Sequence, residues 1–173
     1  RLRAAHLDDQ HAIRRQIRDA ERDIEFSARR IDDIAQDLDR LVPTAGEAFA
    51  MTVTGERHIE RKLAGRALMK EILTLVQFQQ EEAAIIASIG GFDLEFSGRR
   101  IGRDDYHYTT SFMRTGTTDE IELPVTTTPI GAVARLEHAL GAMEHELLRF
   151  RHRLADARQR LTSYRSRDGG EFA

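Results

Sequence analysis

The stretch IRDAERDIEFSARRIDDIAQDLDRL, residues 17–41, repeats an apolar side chain every seven places. Ile17, Ile24, Ile31 and Leu38 form one register, with Ala20, Ser27, Ile34 and Leu41 between them. This is the a/d seam of a coiled coil. Working outward, a second seam occupies the other end of the chain. Val133, Leu140, Leu147, Leu154 and Leu161 share one register, and Leu136, Met143, Phe150, Ala157 and Tyr164 share the other. Neither seam contains a proline. The first helix is predicted from about residue 6 to 41, ending before Pro43 because the residue ahead of a proline is pushed out of helical geometry. The last helix is predicted to begin with Thr128 as N-cap and Pro129 at its first position, and to end before Gly169-Gly170.

Between the seams the period changes. Phe49, Met51 and Val53 alternate with smaller residues as in a strand, closed by a turn at Thr54-Gly55. A helix is expected from about 59 to 78, carrying Leu63, Ala64, Ala67, Leu68, Ile72, Leu75 and Val76 on one face. Alternation returns at Phe92, Leu94 and Phe96, at Tyr106, Tyr108, Thr110 and Phe112, and at Ile121, Leu123 and Val125, with one additional short strand at 85–89. Polar turns are read at 97–102 and 115–118. The fold class is therefore α+β: a small antiparallel sheet covered by one helix, inserted at the tip of a long antiparallel helical coiled-coil hairpin. The divisions are 1–42 for the first coiled-coil helix, 43–128 for the β-α-β-β-β domain, 129–167 for the second coiled-coil helix and 168–173 for a tail.

Composition suits a folded, helix-rich chain: 32% of the 173 residues are charged and 40% hydrophobic. No apolar run reaches the roughly 20 residues that span a bilayer, and no signal-peptide layout opens the chain. With no cysteine, a cytoplasmic setting is expected. The first residue is Arg1 rather than methionine, so a piece of a larger protein, or a processed product, is expected. The net charge of -3 conceals an uneven spread. Residues 147–167 hold seven arginines against the single acid Asp156, whereas residues 43–132 hold thirteen acids against nine basic residues. Antiparallel pairing brings the first group towards Arg1, Arg3, Arg14, Arg15 and Arg18, concentrating positive potential that suits phosphate. The candidate nucleic-acid-binding residues are Arg149, Arg151, Arg153, Arg158 and Arg160, with Arg99, Arg100 and Arg103 as a second group beside His107 and its flanking tyrosines.

Catalytic patterns are missing from the sequence. His138, His145 and His152 recur every seven residues, but neighbours so spaced lie about 10.5 Å apart along a helix and cannot share an ion. They fall at heptad position f, turned away from a partner. His145-Glu146 begins a zinc-protease pattern whose second histidine position is Arg149. No phosphate loop, dinucleotide fingerprint or serine elbow is present, and no cofactor or metal is expected.

Four strings carry a resemblance: Phe49-Ala-Met-Thr-Val-x-Gly55, Glu60-Arg-Lys-x-Ala-Gly-x-Ala-Leu68, Ile89-Gly-Gly-Phe-Asp-Leu94 and Gly131-Ala-Val-Ala-Arg-Leu-Glu-His-Ala-Leu140. In this order they resemble a segment near the C-terminus of very large bacterial mobile-element proteins. These are the plasmid and phage DNA methylase/helicase proteins of the superfamily-two helicase kind. The resemblance spans about 47–167. It implies a non-catalytic accessory module of a DNA-processing machine, contacting DNA or positioning the motor, whose ATPase and methyltransferase motifs lie upstream; none stands in this chain. The alternative is a coiled-coil protein-interaction or dimerisation module without DNA contact. Expected partners are DNA, the remainder of the parent protein and a second copy through the coiled coil, with no membrane.

Overall fold

A computed structural model of the chain describes residues 2–170, and side chains from 5 to 169. Helix α1 runs Leu2–Arg40, followed by a single 3-10 turn at Gly46–Ala48. Then come β1 (Met51–Val53), β2 (Glu56–His58), α2 (Arg61–Gln77), β3 (Ala84–Ile89), β4 (Phe92–Arg100), β5 (Tyr106–Arg114) and β6 (Thr117–Glu120). Two helices, α3 (Pro129–Gly141) and α4 (Met143–Gly170), complete the chain. These elements form two compact units: residues up to Ala35 with those from Glu144 onward, and Gln36–Met143.

The second unit is an α+β domain around one six-stranded antiparallel sheet in the order β2-β1-β3-β4-β5-β6. One sheet face carries Met51, Val53, Ala87, Ile89, Phe92, Leu94, Phe96 and Phe112, which join Ala64, Leu68 and Ile72 of α2 in the core. Each phenylalanine there is almost fully withdrawn from water, worth about 1.5–3 kcal/mol apiece. The opposite face presents polar residues such as Thr52, Asp93, Ser97, Arg99 and Thr109, none of them buried.

A second helix shares this core. Ala132, Val133, Leu136 and Leu140 of α3 are buried in the same cluster, so the first part of the C-terminal heptad pattern packs inside the sheet domain. The expected single covering helix is thus a pair, α2 with α3. Gly65 makes their crossing possible, because a Cβ there would lie 2.0 Å from the Pro129 carbonyl oxygen. The C-terminal seam also divides: α3 ends at Gly141 and α4 starts at Met143, across Ala142 (ψ -12). Glycine at the last position of α3 offers little helix propensity to carry the ladder through. At the far end, Asp168–Gly170 continue α4, where a tail was expected.

Three strand assignments change as well. The charged run Glu56-Arg57-His58 is an edge strand, joined to β1 by the two-residue turn Thr54-Gly55, both with positive φ. A charged, short edge strand resists pairing with other chains and shows no apolar alternation. Strand β4 extends through Gly98 to Arg100, where a turn was expected. A side chain at Gly98 would collide with the Tyr106 hydroxyl, which donates across it to the Gln80 carbonyl at 2.7 Å. The final strand is Thr117–Glu120, earlier than the alternation at 121–125 suggests. Ile121 and Leu123 are still buried, but the carbonyls of both accept from side chains, Thr110 Oγ1 and Tyr108 Oη.

The end of α1 belongs to this unit and is clamped onto it. Asp37 is fully buried, accepting from Arg114 Nε at 2.8 Å and from the Thr115 backbone N–H at 2.9 Å. Arg40 stacks over Phe92 at 4.5 Å and donates to the Met113 carbonyl. The connector after α1 is pinned by a second cluster. Arg61 donates to both carboxylate oxygens of Glu137 (2.7 and 3.2 Å) and to the Thr44 carbonyl (2.9 Å), while the Thr44 hydroxyl donates to Glu137.

Candidate nucleic-acid interface

In the first unit, contacts between the two helices run in opposite directions along the chain. Arg30 meets Glu146 at 2.9 Å, Phe26 meets Phe150 edge to face at 5.9 Å, and Asp23 meets Arg153 at 2.6 Å. The helices are therefore paired antiparallel within one chain. Ile13, Ala20, Ser27 and Ile34 are buried along α1, and Ala157 and Leu161 along α4, as the heptad spacing requires. Ile17, Ile24, Ile31, Leu147, Leu154 and Tyr164 are half-buried seam neighbours. His145 and His152 are exposed on α4, and His138 is exposed on α3.

The arginines now separate by heptad position. With the register above, Arg153, Arg160 and Arg167 occupy position g of α4, and Arg151, Arg158 and Arg165 occupy position e. These positions flank the seam on opposite sides. On the g side two of the arginines are engaged by an acid. Asp23, itself at position g of α1, accepts from Arg153 Nε at 2.6 Å and from Arg160 at 2.8 Å. Burial works against ionising Asp23, but the two arginine hydrogen bonds outweigh it and hold its carboxyl below the ordinary range. Arg30 likewise meets Asp33 and Glu146. Arg149 opens onto this same side, in a shallow groove with His152, Arg153, Asp156 and Arg160.

The e side is different. Arg14 and Glu21 are the e residues of α1 beside α4, followed by Ala28 and Ala35, with Arg18 one row out. Here five arginines, Arg14, Arg18, Arg151, Arg158 and Arg165, stand against Glu21 and Glu25. Glu25 is engaged by Arg29 at 3.1 Å, and Glu21 reaches Arg165 at 3.7 Å. Among the described residues no carboxylate lies within ion-pair reach of Arg14, Arg18, Arg151 or Arg158, and all four are exposed. Asp32 and Glu144 share the edge at the end where Ala35 lies. The predicted set is thereby split: Arg151 and Arg158 come together with Arg165, which density alone did not single out, while Arg149, Arg153 and Arg160 face the other way. Arg1 and the Arg3 side chain lie outside the described residues.

The second predicted group sits in the sheet domain. Arg99 pairs across the β4–β5 hairpin with His107, and Arg100 with Tyr106, so Arg99, Arg100 and Arg103 gather at that hairpin's end. All three are exposed, but the turn also carries Asp104 and Asp105, and Asp105 holds His107 at 3.2 Å. Both tyrosines face inward, Tyr108 stacked on Phe96 at 5.2 Å, and neither is free to stack a base.

Arginine supplies 24 of the 26 basic residues, the lysines being Lys62 and Lys70 in α2. Its planar fork matches phosphate oxygens two at a time, which an ammonium cannot do. Among the described residues no cluster of three or more His, Asp or Glu could hold a metal ion, and no helix is long and apolar enough to cross a membrane.

The chain thus comprises an α+β domain and an antiparallel helix pair, in which Asp23 engages Arg153 and Arg160 on one edge while Arg14, Arg18, Arg151 and Arg158 stand exposed on the other. The chain matches no protein-family model, no curated protein and no solved structure.

Proposed function

We propose that this chain is a non-catalytic nucleic-acid-binding module whose helix pair meets the phosphate backbone with its e edge. The observation carrying this reading is the contrast between the two edges. Arg153 and Arg160 are spent on Asp23, whereas Arg14, Arg18, Arg151 and Arg158 have no carboxylate partner among the described residues. A row of exposed guanidiniums gains free energy from phosphate chiefly by releasing condensed counterions. The four sequence strings add the context of an accessory segment of a mobile-element DNA methylase/helicase protein in the bacterial cytoplasm. In that setting the sheet domain positions the motor or the DNA.

The alternative, a self-associating coiled coil, is less favoured because the a/d residues of the helix pair are already packed against each other within one chain. Fluorescence anisotropy with a labelled DNA duplex at about 50 mM salt tests the proposal. Saturable binding that weakens steeply with salt is expected; no binding at that salt removes it.

A further inference from the structure

Resting on that reading, we infer that the ligand of the e edge is double-stranded, held by its backbone without regard to sequence. Proteins that grip single strands add aromatic platforms to their basic grooves, and base stacking supplies much of the affinity. This edge has no such platform. Its rows carry Arg14, Arg18, Arg151, Arg158 and Arg165 together with Ala28, Ala35, Ala155 and Thr162 and the acids Glu21, Glu25, Asp32 and Glu144, and among the described residues His11 is its only ring. The aromatic side chains of the helix pair lie off this edge, Phe26 exposed and Phe150 and Tyr164 half-buried, each with an arginine over its ring. Arg153 lies 5.1 Å from the Phe26 ring and 6.0 Å from Phe150, and Arg167 lies 5.5 Å from Tyr164. No Asn or Gln stands among the e-edge arginines to read a base edge.

Charge density points the same way. From Arg151 to Arg165 the helix rises about 21 Å, a length over which a duplex carries roughly 12 phosphate charges, one per 1.7 Å, and a single strand about half as many. A straight row of arginines spaced about 10.5 Å apart is fixed in place and cannot follow a flexible chain, but it can lie along a stiff one.

The test is a competition between a 24-base-pair duplex of mixed sequence, a second duplex of unrelated sequence, and a 24-nucleotide oligo(dT), read by anisotropy at several salt concentrations. The duplexes are expected to bind with equal affinity and at least ten-fold tighter than oligo(dT). If five arginines each meet a phosphate, the logarithmic salt slope on duplex is about -4.5, falling to about -1.8 in Arg151→Ala/Arg158→Ala/Arg165→Ala. Circular dichroism establishes that this variant keeps its helices. Equal or tighter binding of oligo(dT) overturns the duplex inference while leaving nucleic-acid binding in place. Discrimination between the two duplexes overturns the sequence-independence. Absence of binding to all three overturns the underlying reading as well.

Discussion

The carboxylate of Asp23 lies 2.8 Å from the Arg160 guanidinium, and its other oxygen is held by Arg153. One acid thereby engages two members of the arginine-rich stretch. Asp23→Asn keeps the shape and removes the charge, releasing both guanidiniums to solvent. Duplex affinity is expected to rise several-fold in this variant, because a second edge then becomes available to phosphate. Unchanged or weaker binding in an anisotropy titration would show that Asp23 does not mask this side.

Asp37 and Arg114 form the opposite kind of pair, buried rather than functional, with side chains 0% and 2% exposed. Removing the Asp37 carboxylate takes one charged partner from a buried guanidinium and costs up to about 3–5 kcal/mol. Asp37→Ala is therefore expected to lower the urea midpoint of the sheet domain sharply, the Thr115 backbone N–H losing its acceptor as well. A loss under about 1 kcal/mol would mean that water replaces the carboxylate.

Two glycines give contrasting expectations. A methyl at Gly65 would run into the Pro129 backbone, so Gly65→Ala forces α2 from α3 and should destabilise by roughly 1–3 kcal/mol or more. At Gly141 nothing lies within 4 Å of the added carbon, and alanine there should stabilise by up to about 1 kcal/mol. Thermal melts of the two variants should shift in opposite directions.

The Arg61–Glu137 contact predicts a pH dependence. Hydrogen bonding from Arg61, aided by Thr44 and opposed by burial, holds the Glu137 carboxyl below its ordinary value of 4.5. The unfolded chain therefore binds this proton more readily than the folded one. The stabilisation is fully present above the ordinary value and is lost as pH falls through the lowered one. Glu137→Gln should flatten this part of the acid limb between pH 5 and 3, measured by urea unfolding at each pH. An unchanged acid limb would assign the dependence to other carboxylates.

Much of this architecture is legible in the sequence. Ile34 and Ala20 mark the α1 seam, and Phe92, Leu94 and Phe96 mark a half-buried strand, because a single packing face imposes one period. The misreadings occur where two demands meet. Val133, Leu136 and Leu140 satisfy a heptad, but they face α2 and the sheet, and spacing alone does not name the partner. Glu56-Arg57-His58 is a strand through backbone pairing at an edge, which leaves its side chains without pattern. For the candidate interface, arginine density singled out α4 but did not show the division between its edges. The recurrence of Arg151, Arg158 and Arg165 every seven residues was a visible signal; the capture of Arg153 and Arg160 by Asp23 was not, since it depends on the register of two distant segments.

The decisive measurement compares two triple variants that remove the same charge from opposite edges. Arg151→Ala/Arg158→Ala/Arg165→Ala and Arg149→Ala/Arg153→Ala/Arg160→Ala are titrated with the same duplex at 0.1 M salt, where screening acts over about 10 Å and the two edges are felt separately. The e-edge variant should lose at least ten-fold in affinity and the other less than three-fold. Equal losses, or a larger loss from the second variant, would contradict an interface on the e edge.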